Sequence, residues 1–178
     1  MAMIFLEGSG EHSRVVSESA QGAGHQLSTD REDAEVHVAF VGKPGSPSRH
    51  HHIAKAKGPF ATIIDRSAFV SPFAKIAPGV FIGPMACVSN MAEIGPHAVI
   101  NTGAIVEHDC VIGEGVHIAP RAVLGGGVTV GPWAWISLGS VIRDHITIGE
   151  GAIIGMGAVV TKNVPPGVTV MGCPARIV

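Results

Sequence analysis

A short polar segment in the second half of the chain carries the side chains best suited to chemistry. Residues 101–110 read Asn-Thr-Gly-Ala-Ile-Val-Glu-His-Asp-Cys and hold an amide, two carboxylates and an imidazole. His108 lies between Glu107 and Asp109, and a carboxylate beside an imidazole fixes its tautomer and stabilises the imidazolium. This arrangement favours His108 as a general base. The alternative is a surface histidine without a catalytic role, and spacing alone does not decide between the two.

The elements that must position this segment follow a repeat of six residues. From Ile64 to Val160 an aliphatic side chain recurs at every sixth position through seventeen consecutive hexads, and a small or aliphatic residue follows it four positions later. Gly, Pro, Asn and Asp supply turns between short β-branched strands, which is typical of a parallel β-helix. Three hexads then close one triangular coil, and successive coils stack about 4.8 Å apart. A sandwich of alternating strands would require hairpin turns and irregular loop lengths, which this stretch lacks.

The repeat also predicts which polar side chains can meet. His117 follows His108 by nine residues, or half a coil, so the two should lie on different faces and could share a site only across a subunit boundary. Gly126 follows His108 by eighteen residues and should stack almost directly over it. A bare backbone N–H group would then lie where an oxyanion donor is needed. The glycines at 125–127 could instead simply bend the coil.

The first sixty residues lack the repeat and predict a separate small α/β unit. Their pattern predicts a strand, a helix, a strand and a helix, in that order, over residues 3–6, 12–23, 36–41 and 48–57. Residues 25–34 are polar and show no clear pattern. The alternation favours a small parallel sheet. We therefore expect a domain of residues 1–60, followed by a β-helix domain of residues 61–178.

Three other features could bind ligands but have simpler explanations. The turn Gly8-Ser9-Gly10 precedes a predicted helix, where backbone N–H groups can hold an anion, but Glu11 places a negative charge in the same loop. The run His50-His51-His52 looks like a metal site, yet consecutive helical residues point in different directions, so a solvated face is favoured. Trp133 and Trp135 point outward, and burial between subunits is favoured over stacking on a ligand.

Composition argues against several classes of protein. The net charge of −2 offers no basic patch for nucleic acid. No apolar run approaches the ~20 residues of a membrane-spanning helix, and the first residues become acidic too soon for a secretory signal. Hydrophobic residues make up 46% of the chain and charged residues 15%, which favours burial of the solenoid walls between subunits. The three cysteines have no metal or redox spacing, so we expect a cytoplasmic protein.

These segments resemble a known family. The repeat over residues 64–178 resembles the left-handed β-helix (hexapeptide-repeat) acyltransferases, and residues 157–167 and 172–176 are similar to the closing coil of acetyl-CoA-dependent members. Residues 101–110 with His117 resemble the branch of bacillosamine- and perosamine-type amino-sugar N-acetyltransferases, which includes sialic-acid O-acetyltransferase-like proteins. The resemblance implies a homotrimer with acetyl-CoA between subunits and no metal. It also implies the left hand of the coil, because physical preference alone favours right-handed crossovers.

The resemblance further implies roles for individual residues. His108 would be the general base, Asp109 its partner, and the N–H of Gly126 would meet the acetyl carbonyl. Asn101 and His117 would help to hold the acceptor. Residues implied to contact acetyl-CoA are Gly126, Leu138, Met156, Lys162 and Arg176, and those implied to hold a nucleotide-sugar are Gly8, Ser9, Gly10 and His12.

The chain departs from the family in three places. Glu11 replaces a glycine of the family's Gly-x-Gly-Gly-His-like turn. The small N-terminal domain, Rossmann-like in the family, is expected to be shortened, without a middle strand and helix between residues 25 and 35. Ser137 and Met156 stand where the family tends to have Gly or Ala, which could alter how the donor fits.

The sequence as a whole predicts an acetyl-CoA-dependent N-acetyltransferase that acts on a (nucleotide-linked) amino sugar by direct transfer. An O-acetyltransferase, or an acyltransferase for a non-nucleotide small molecule, would use the same residues. A zinc hydrase of the γ-carbonic-anhydrase type would need three histidine ligands with a close pair five residues apart, and the sequence has no such pair. A non-catalytic trimeric scaffold is the remaining alternative.

Overall fold

The first part of the chain forms a small parallel sheet with two helices. The computed structural model describes residues 2–8, 10–39 and 42–178. The first elements are β1 (Met3–Glu7), α1 (Glu11–Gly22), β2 (Gln26–Ser28), β3 (Glu35–Val38) and α2 (Ser48–Lys55). The sheet has the order β2-β1-β3, and both pairings are parallel. The predicted order of strands and helices is therefore present, with one additional strand.

Strand β2 corrects the expectation that no strand lies between residues 25 and 35. Its three residues pair in register with β1, with Met3 opposite Gln26. A strand of only three residues with one apolar side chain carries too little alternation to be recognised from sequence. Residues 29–34 form turns and bends, without a helix. The predicted strand at 36–41 ends at Val38, and Phe40 and Val41 lie outside the described residues.

Helix α1 attaches the small sheet to the rest of the chain. Val16 and Ala20, four residues apart, lie on one helical face, and both are fully buried. They share a hydrophobic cluster with Ile4 of β1 and with Phe81 and Val99 of the following domain. The N-terminal unit is thus docked by apolar packing.

The remainder of the chain is a β-solenoid. Seventeen two-residue strands begin at intervals of six residues, as the repeat predicts. They are β4 (Ile63–Ile64), β5 (Phe69–Val70), β6 (Lys75–Ile76), β7 (Phe81–Ile82), β8 (Cys87–Val88), β9 (Glu93–Ile94), β10 (Val99–Ile100), β11 (Ile105–Val106), β12 (Val111–Ile112), β13 (His117–Ile118), β14 (Val123–Leu124), β15 (Thr129–Val130), β16 (Trp135–Ile136), β17 (Val141–Ile142), β18 (Thr147–Ile148), β19 (Ile153–Ile154) and β20 (Val159–Val160). The chain closes with β21 (Thr169–Met171) and β22 (Arg176–Ile177), which pair antiparallel.

Three sheets form the walls of the solenoid. Sheet 1 has the order β22-β21-β19-β16-β13-β10-β7-β4, sheet 2 the order β20-β17-β14-β11-β8-β5, and sheet 3 the order β18-β15-β12-β9-β6. Val99 lies opposite His117, and His117 opposite Trp135, so each coil contains eighteen residues. The prediction of a parallel β-helix with three hexads per coil is confirmed.

The core of the solenoid consists of the aliphatic residue of each hexad and the small residue four positions later. Ile118 and Leu124 are fully buried, as are the corner residues Ala122 and Val128. Each buried aliphatic side chain contributes about 1.5–3 kcal/mol to stability. Cys110 occupies one such corner and is fully buried, as its position in the repeat predicts.

The corners share one backbone conformation that the sequence did not reveal. Every sixth residue from 79 to 157 has a positive φ, and half of these residues are not glycine, namely Met85, Met91, His97, Asp109, Arg121, Trp133 and His145. The side chain of Trp133 lies over Gly115, where an added Cβ would be 2.3 Å from the indole ring. That glycine therefore provides both the left-handed conformation and the space for a large side chain one coil later.

The outward faces of the three sheets differ in polarity. The outward residues of sheet 2 are all apolar, namely Phe69, Cys87, Ile105, Val123, Val141 and Val159. Sheet 3 presents mainly polar residues, including a Lys75–Glu93 ion pair at 2.7 Å. The start of sheet 1 is covered by the N-terminal unit. An uncovered apolar sheet face is typical of an association surface, so we expect copies of the chain to associate through sheet 2.

A matched pair of substitutions tests this expectation. Val141 on sheet 2 and Val111 on sheet 3 are equally exposed, at 44%, so either aspartate should be tolerated equally by the isolated chain. We expect Val141→Asp to dissociate the oligomer, since a buried unpaired charge is costly, while Val111→Asp leaves it intact. Sedimentation analysis measures the outcome. Equal behaviour of the two variants would contradict association through sheet 2.

Candidate active site

His108 and Asp109 form a hydrogen-bonded pair at the corner between sheets 2 and 3. Asp109 has a φ of 59°, and its Oδ2 lies 2.8 Å from Nδ1 of His108. This hydrogen bond raises the pKa of His108, with a smaller contribution from Glu107. Because Nδ1 is engaged, Nε2 is the ring nitrogen left to exchange a proton. The local arrangement is suited to general-base chemistry.

Gly126 lies against the imidazole, as its spacing predicts. A Cβ on Gly126 would be 2.5 Å from Cε1 and 2.7 Å from Nε2 of His108. Its carbonyl accepts a hydrogen bond from the N–H of His145, whereas its own N–H has no acceptor among the described residues. Several other turn N–H groups in the solenoid also lack an acceptor. What distinguishes Gly126 is that it has no side chain at a position next to Nε2 of His108.

The residues implied to contact the donor fall into two groups. Lys162 lies two coils beyond Gly126 at the same corner and, together with Arg176, lines a cavity of about 220 Å³ at the C-terminal end. Leu138 and Met156 lie one coil apart at the corner between sheets 1 and 2, and they are 50% and 75% exposed. The two groups therefore border opposite edges of sheet 2.

Asn101 and His117 form a second, buried pair. Asn101 Nδ2 lies 3.2 Å from His117 Nε2, while Asn101 Oδ1 accepts a hydrogen bond from the N–H of Thr102. Nε2 of His117 is then the acceptor, and Nδ1 carries the proton. The ring packs edge-on against Trp135 at 4.2 Å between centroids. Burial, with the charge of Arg49, lowers the pKa of His117 to about 3, so this imidazole is neutral.

The two pairs lie on different parts of the solenoid. His117 projects from β13 of sheet 1, next to the corner that begins at Asn101, whereas His108 occupies the corner between sheets 2 and 3. In the part of the chain that the structure describes, the side chains of His108 and His117 do not contact each other. Sheet 2 separates them, which agrees with the expectation that one subunit cannot combine them in a single site.

A cluster of histidines around a buried arginine could not be recognised from the sequence. Arg49 is 5% exposed and donates hydrogen bonds to the carbonyls of Gly115 and His97. Its charge, added to burial, lowers the pKa of His12, His37 and His97 to about 4 each. The only signal was an arginine immediately before the conspicuous histidine run, on the first turn of α2.

Among the described residues, which include the run of three histidines, no three potential metal ligands are grouped. His50 packs against Trp133 with 4.7 Å between ring centroids. The expectation that the histidine run forms a solvated helix face is therefore met only in part. His51 is exposed. The helix therefore presents His50 to the solenoid.

The turn before α1 is open to solvent. Gly8 has a φ of 119°, and nothing lies within 4 Å of the position that a Cβ on Gly10 would take. Ser9 lies outside the described residues. Glu11 is exposed in the first turn of α1, whereas His12 is turned inward, with its ring edge-on to Phe81. The two glycines could contact a ligand directly, while His12 belongs to the buried cluster.

The fold and sequence of the chain are similar to those of known transferases. A family model described as "Bacterial transferase hexapeptide (six repeats)" matches residues 91–126, which contain both His108 and Gly126. PerB of Caulobacter crescentus, solved with CoA and GDP-perosamine, has 29% sequence identity and a TM-score of 0.90, with 100% of this chain and 97% of that chain covered. The chain carries hexapeptide repeats and is an acyltransferase.

Two further solved structures are similar to this acyltransferase over nearly its whole length. The acetyltransferase domain of PglB from Neisseria gonorrhoeae, solved with acetyl coenzyme A, has 28% identity and a TM-score of 0.91, with 99% of each chain covered. WeeI from Acinetobacter baumannii has 26% identity and a TM-score of 0.80, with 100% of each chain covered. No curated protein sequence matches the chain. Within the described residues, no helix is long and apolar enough to cross a membrane.

Acidification should destabilise this acyltransferase through its buried histidines. The unfolded chain binds protons near the ordinary histidine pKa of 6.5, whereas His37 in the folded chain binds them near 4. The free energy of unfolding should therefore fall as the pH drops from 6.5 towards 4, by about 1.4 kcal/mol per unit of pKa lowering. Urea unfolding between pH 7 and 5 measures the slope. His37→Gln should reduce it and His51→Gln should not; a flat profile for the unsubstituted protein would contradict this account.

Substitution of Gly126 should impair catalysis without unfolding the chain. The Cβ of Gly126→Ala would overlap the imidazole of His108, and its backbone φ is not in the left-handed region, so the ring must move. We expect acetyl transfer to slow by about 10²-fold, as for loss of an oriented catalytic group, with little change in melting temperature. Gly22→Ala, where a Cβ meets only an ordinary contact at 3.8 Å, is the control. Full activity of Gly126→Ala would exclude a close role for this glycine.

Proposed function

We propose that this acyltransferase transfers the acetyl group of acetyl-CoA to the amino group of a (nucleotide-linked) amino sugar. The observation that carries the proposal is the position of His108 Nε2 next to the bare backbone of Gly126. The neighbours described above support the substrate classes, because PerB was solved with CoA and GDP-perosamine and the PglB domain with acetyl coenzyme A.

In the proposed mechanism, His108 acts as the base. The acceptor amine lies against Nε2, which removes a proton as the nitrogen attacks the thioester carbonyl. The negative charge that develops on the carbonyl oxygen is stabilised by the N–H of Gly126. The tetrahedral intermediate then collapses, the carbon–sulfur bond breaks, and CoA leaves as the thiolate. Asp109 holds the ring and stabilises the imidazolium. Cys110 is fully buried in the core, so it is not available as a covalent nucleophile.

The proposed catalytic unit is a homotrimer of left-handed β-helices. Asn101 and His117 border one edge of sheet 2, and His108 lies at the other edge. Association through the apolar outward face of sheet 2 would place one subunit's His108 near the neighbour's Asn101–His117 pair. It would also bring Leu138 and Met156 to the same cleft as Lys162 and Arg176, so that an extended acetyl-CoA could contact both groups.

The N-terminal unit, residues 1–60, is proposed to be a shortened Rossmann-like domain that helps to bind the acceptor. It lies against sheet 1, and its His12 is close enough to His117 to affect the pKa of His117 electrostatically. Gly8 and Gly10 present accessible backbone at the carboxyl end of β1, the usual position for a ligand of a parallel sheet. In this arrangement the acceptor would reach His108 of a neighbouring subunit.

The function can be tested by incubating the protein with acetyl-CoA and a panel of UDP-, GDP- and dTDP-linked amino sugars. We expect one amino sugar to gain an acetyl group that resists hydroxylamine, which cleaves esters but not amides, as mass spectrometry would show. His108→Ala should reduce the rate by ~10²–10⁴-fold, while Val111→Asp serves as a folded control. A hydroxylamine-labile product would indicate O-acetylation instead. Failure to bind any CoA ester would overturn the proposal.

A further inference from the structure

A cavity of about 500 Å³ lies between the N-terminal unit and the outward face of sheet 1. The residues before α2, the first turn of that helix and the solenoid all contribute to it. The lining residues used below are Lys43, Arg49, His117, Trp133, Trp135 and Glu150. We call it the Arg49 cavity. Since His117 belongs to the proposed acceptor site, the cavity is continuous with that site.

The charge of Arg49 is not compensated by the protein. Its side chain is 5% exposed, yet no carboxylate lies within ion-pair distance in the described residues. Two of its nitrogens donate to backbone carbonyls. These hydrogen bonds satisfy the two nitrogens as donors, but they do not neutralise the positive charge. Glu150 is the only acidic residue of the lining, and it is exposed and makes no ion pair with Arg49 or Lys43. A buried, unpaired cation is costly, so an anionic ligand would be strongly favoured here.

Two residues that line the cavity, Arg49 and His117, hold unused hydrogen-bond donors. Nε of Arg49 and Nδ1 of His117 are buried and have no hydrogen-bond partner, and Nδ1 carries the proton because Nε2 faces the amide of Asn101. Helix α2 also begins here without a side-chain cap, and the backbone N–H groups of Arg49 and His50 have no acceptor among the described residues. Free N–H groups at the start of a helix favour an anion.

The walls of the cavity are aromatic. Trp133 packs against His50, and Trp135 against His117, with ring centroids 4.7 Å and 4.2 Å apart. Both indoles are half-buried and leave part of their surface to the cavity. Aromatic walls next to cationic donors are suited to a ligand that combines a sugar or base ring with an acidic group.

We infer that the Arg49 cavity binds the phosphate-bearing part of the acceptor, with Arg49, Lys43 and the start of α2 as its anion-binding groups. The identity of the ligand as the acceptor rests on the proposed function. The assignment differs from the one that the family resemblance implies, in which the turn before α1 holds the nucleotide-sugar. In this chain Glu11 makes that turn acidic, whereas Lys43 and Arg49 make the cavity basic.

Titration calorimetry of the 178-residue chain tests the inference. The probes are UDP, GDP and inorganic pyrophosphate, and the free nucleosides are the uncharged counterparts. We expect saturable binding of at least one diphosphate and much weaker binding of its nucleoside. Lys43→Glu, at an exposed loop position, should weaken the affinity by about ten-fold, and Glu150→Gln should strengthen it by about three-fold, since each changes one charge next to the phosphate. Lys57→Glu, an exposed lysine outside the lining, should leave the affinity unchanged.

The outcomes separate this inference from the proposed function. Binding of acetyl-CoA without binding of any diphosphate would overturn the inference and leave the donor assignment standing. Diphosphate binding that is insensitive to Lys43→Glu and Glu150→Gln would also overturn it. If Glu11→Gly alone strengthened binding, the phosphate would belong to the turn before α1. Diphosphate binding with the expected charge effects, but without acetyl-CoA binding, would support the cavity and overturn the transferase mechanism.

Discussion

The structure depends on a recurring backbone constraint, the hydrogen bond that the corner residues of the solenoid make to the preceding coil. The N–H of Asp109 donates to the carbonyl of Asn90, and the N–H of Gly127 to the carbonyl of His108, at 3.0 Å and 2.9 Å. Because these bonds recur at each corner from His97 to Gly157, residues eighteen apart stay in register. An exposed side chain such as His108 can then be held next to a chosen backbone position without support from a helix or a buried neighbour.

His108 and His117 illustrate how the environment separates the proton affinities of two histidines. His108 is exposed and bonded to a carboxylate, which raises its pKa. His117 is buried and paired with an amide near a cation, which lowers its pKa to about 3. A group that gains a proton easily suits a base, whereas a permanently neutral imidazole suits a fixed hydrogen-bond donor. The two pKa values differ because His108 lies at an exposed corner of the solenoid, whereas His117 lies on sheet 1 under the N-terminal unit.

Features that depend on the repeat could be predicted from the sequence, because the period converts sequence separation directly into spatial position. The stacking of Gly126 on His108, the inward side chain of Cys110 and the separation of His108 from His117 are of this kind. Strand β2 and the environment of Arg49 could not be predicted. A three-residue strand is selected by its partner β1, and Arg49 contacts carbonyls 48 and 66 residues away. No local pattern encodes either arrangement.

The final strand has a consequence for the behaviour of the protein in a concentrated solution. A solenoid built from identical coils would end in unpaired strand edges, which could template the addition of another chain and lead to fibres. Strand β22 reverses direction and pairs antiparallel with β21, Met171 lying opposite Arg176. The last strand of sheet 1 therefore does not continue the parallel register. A short reversal of the chain thus limits end-to-end growth along that wall of an otherwise repetitive structure.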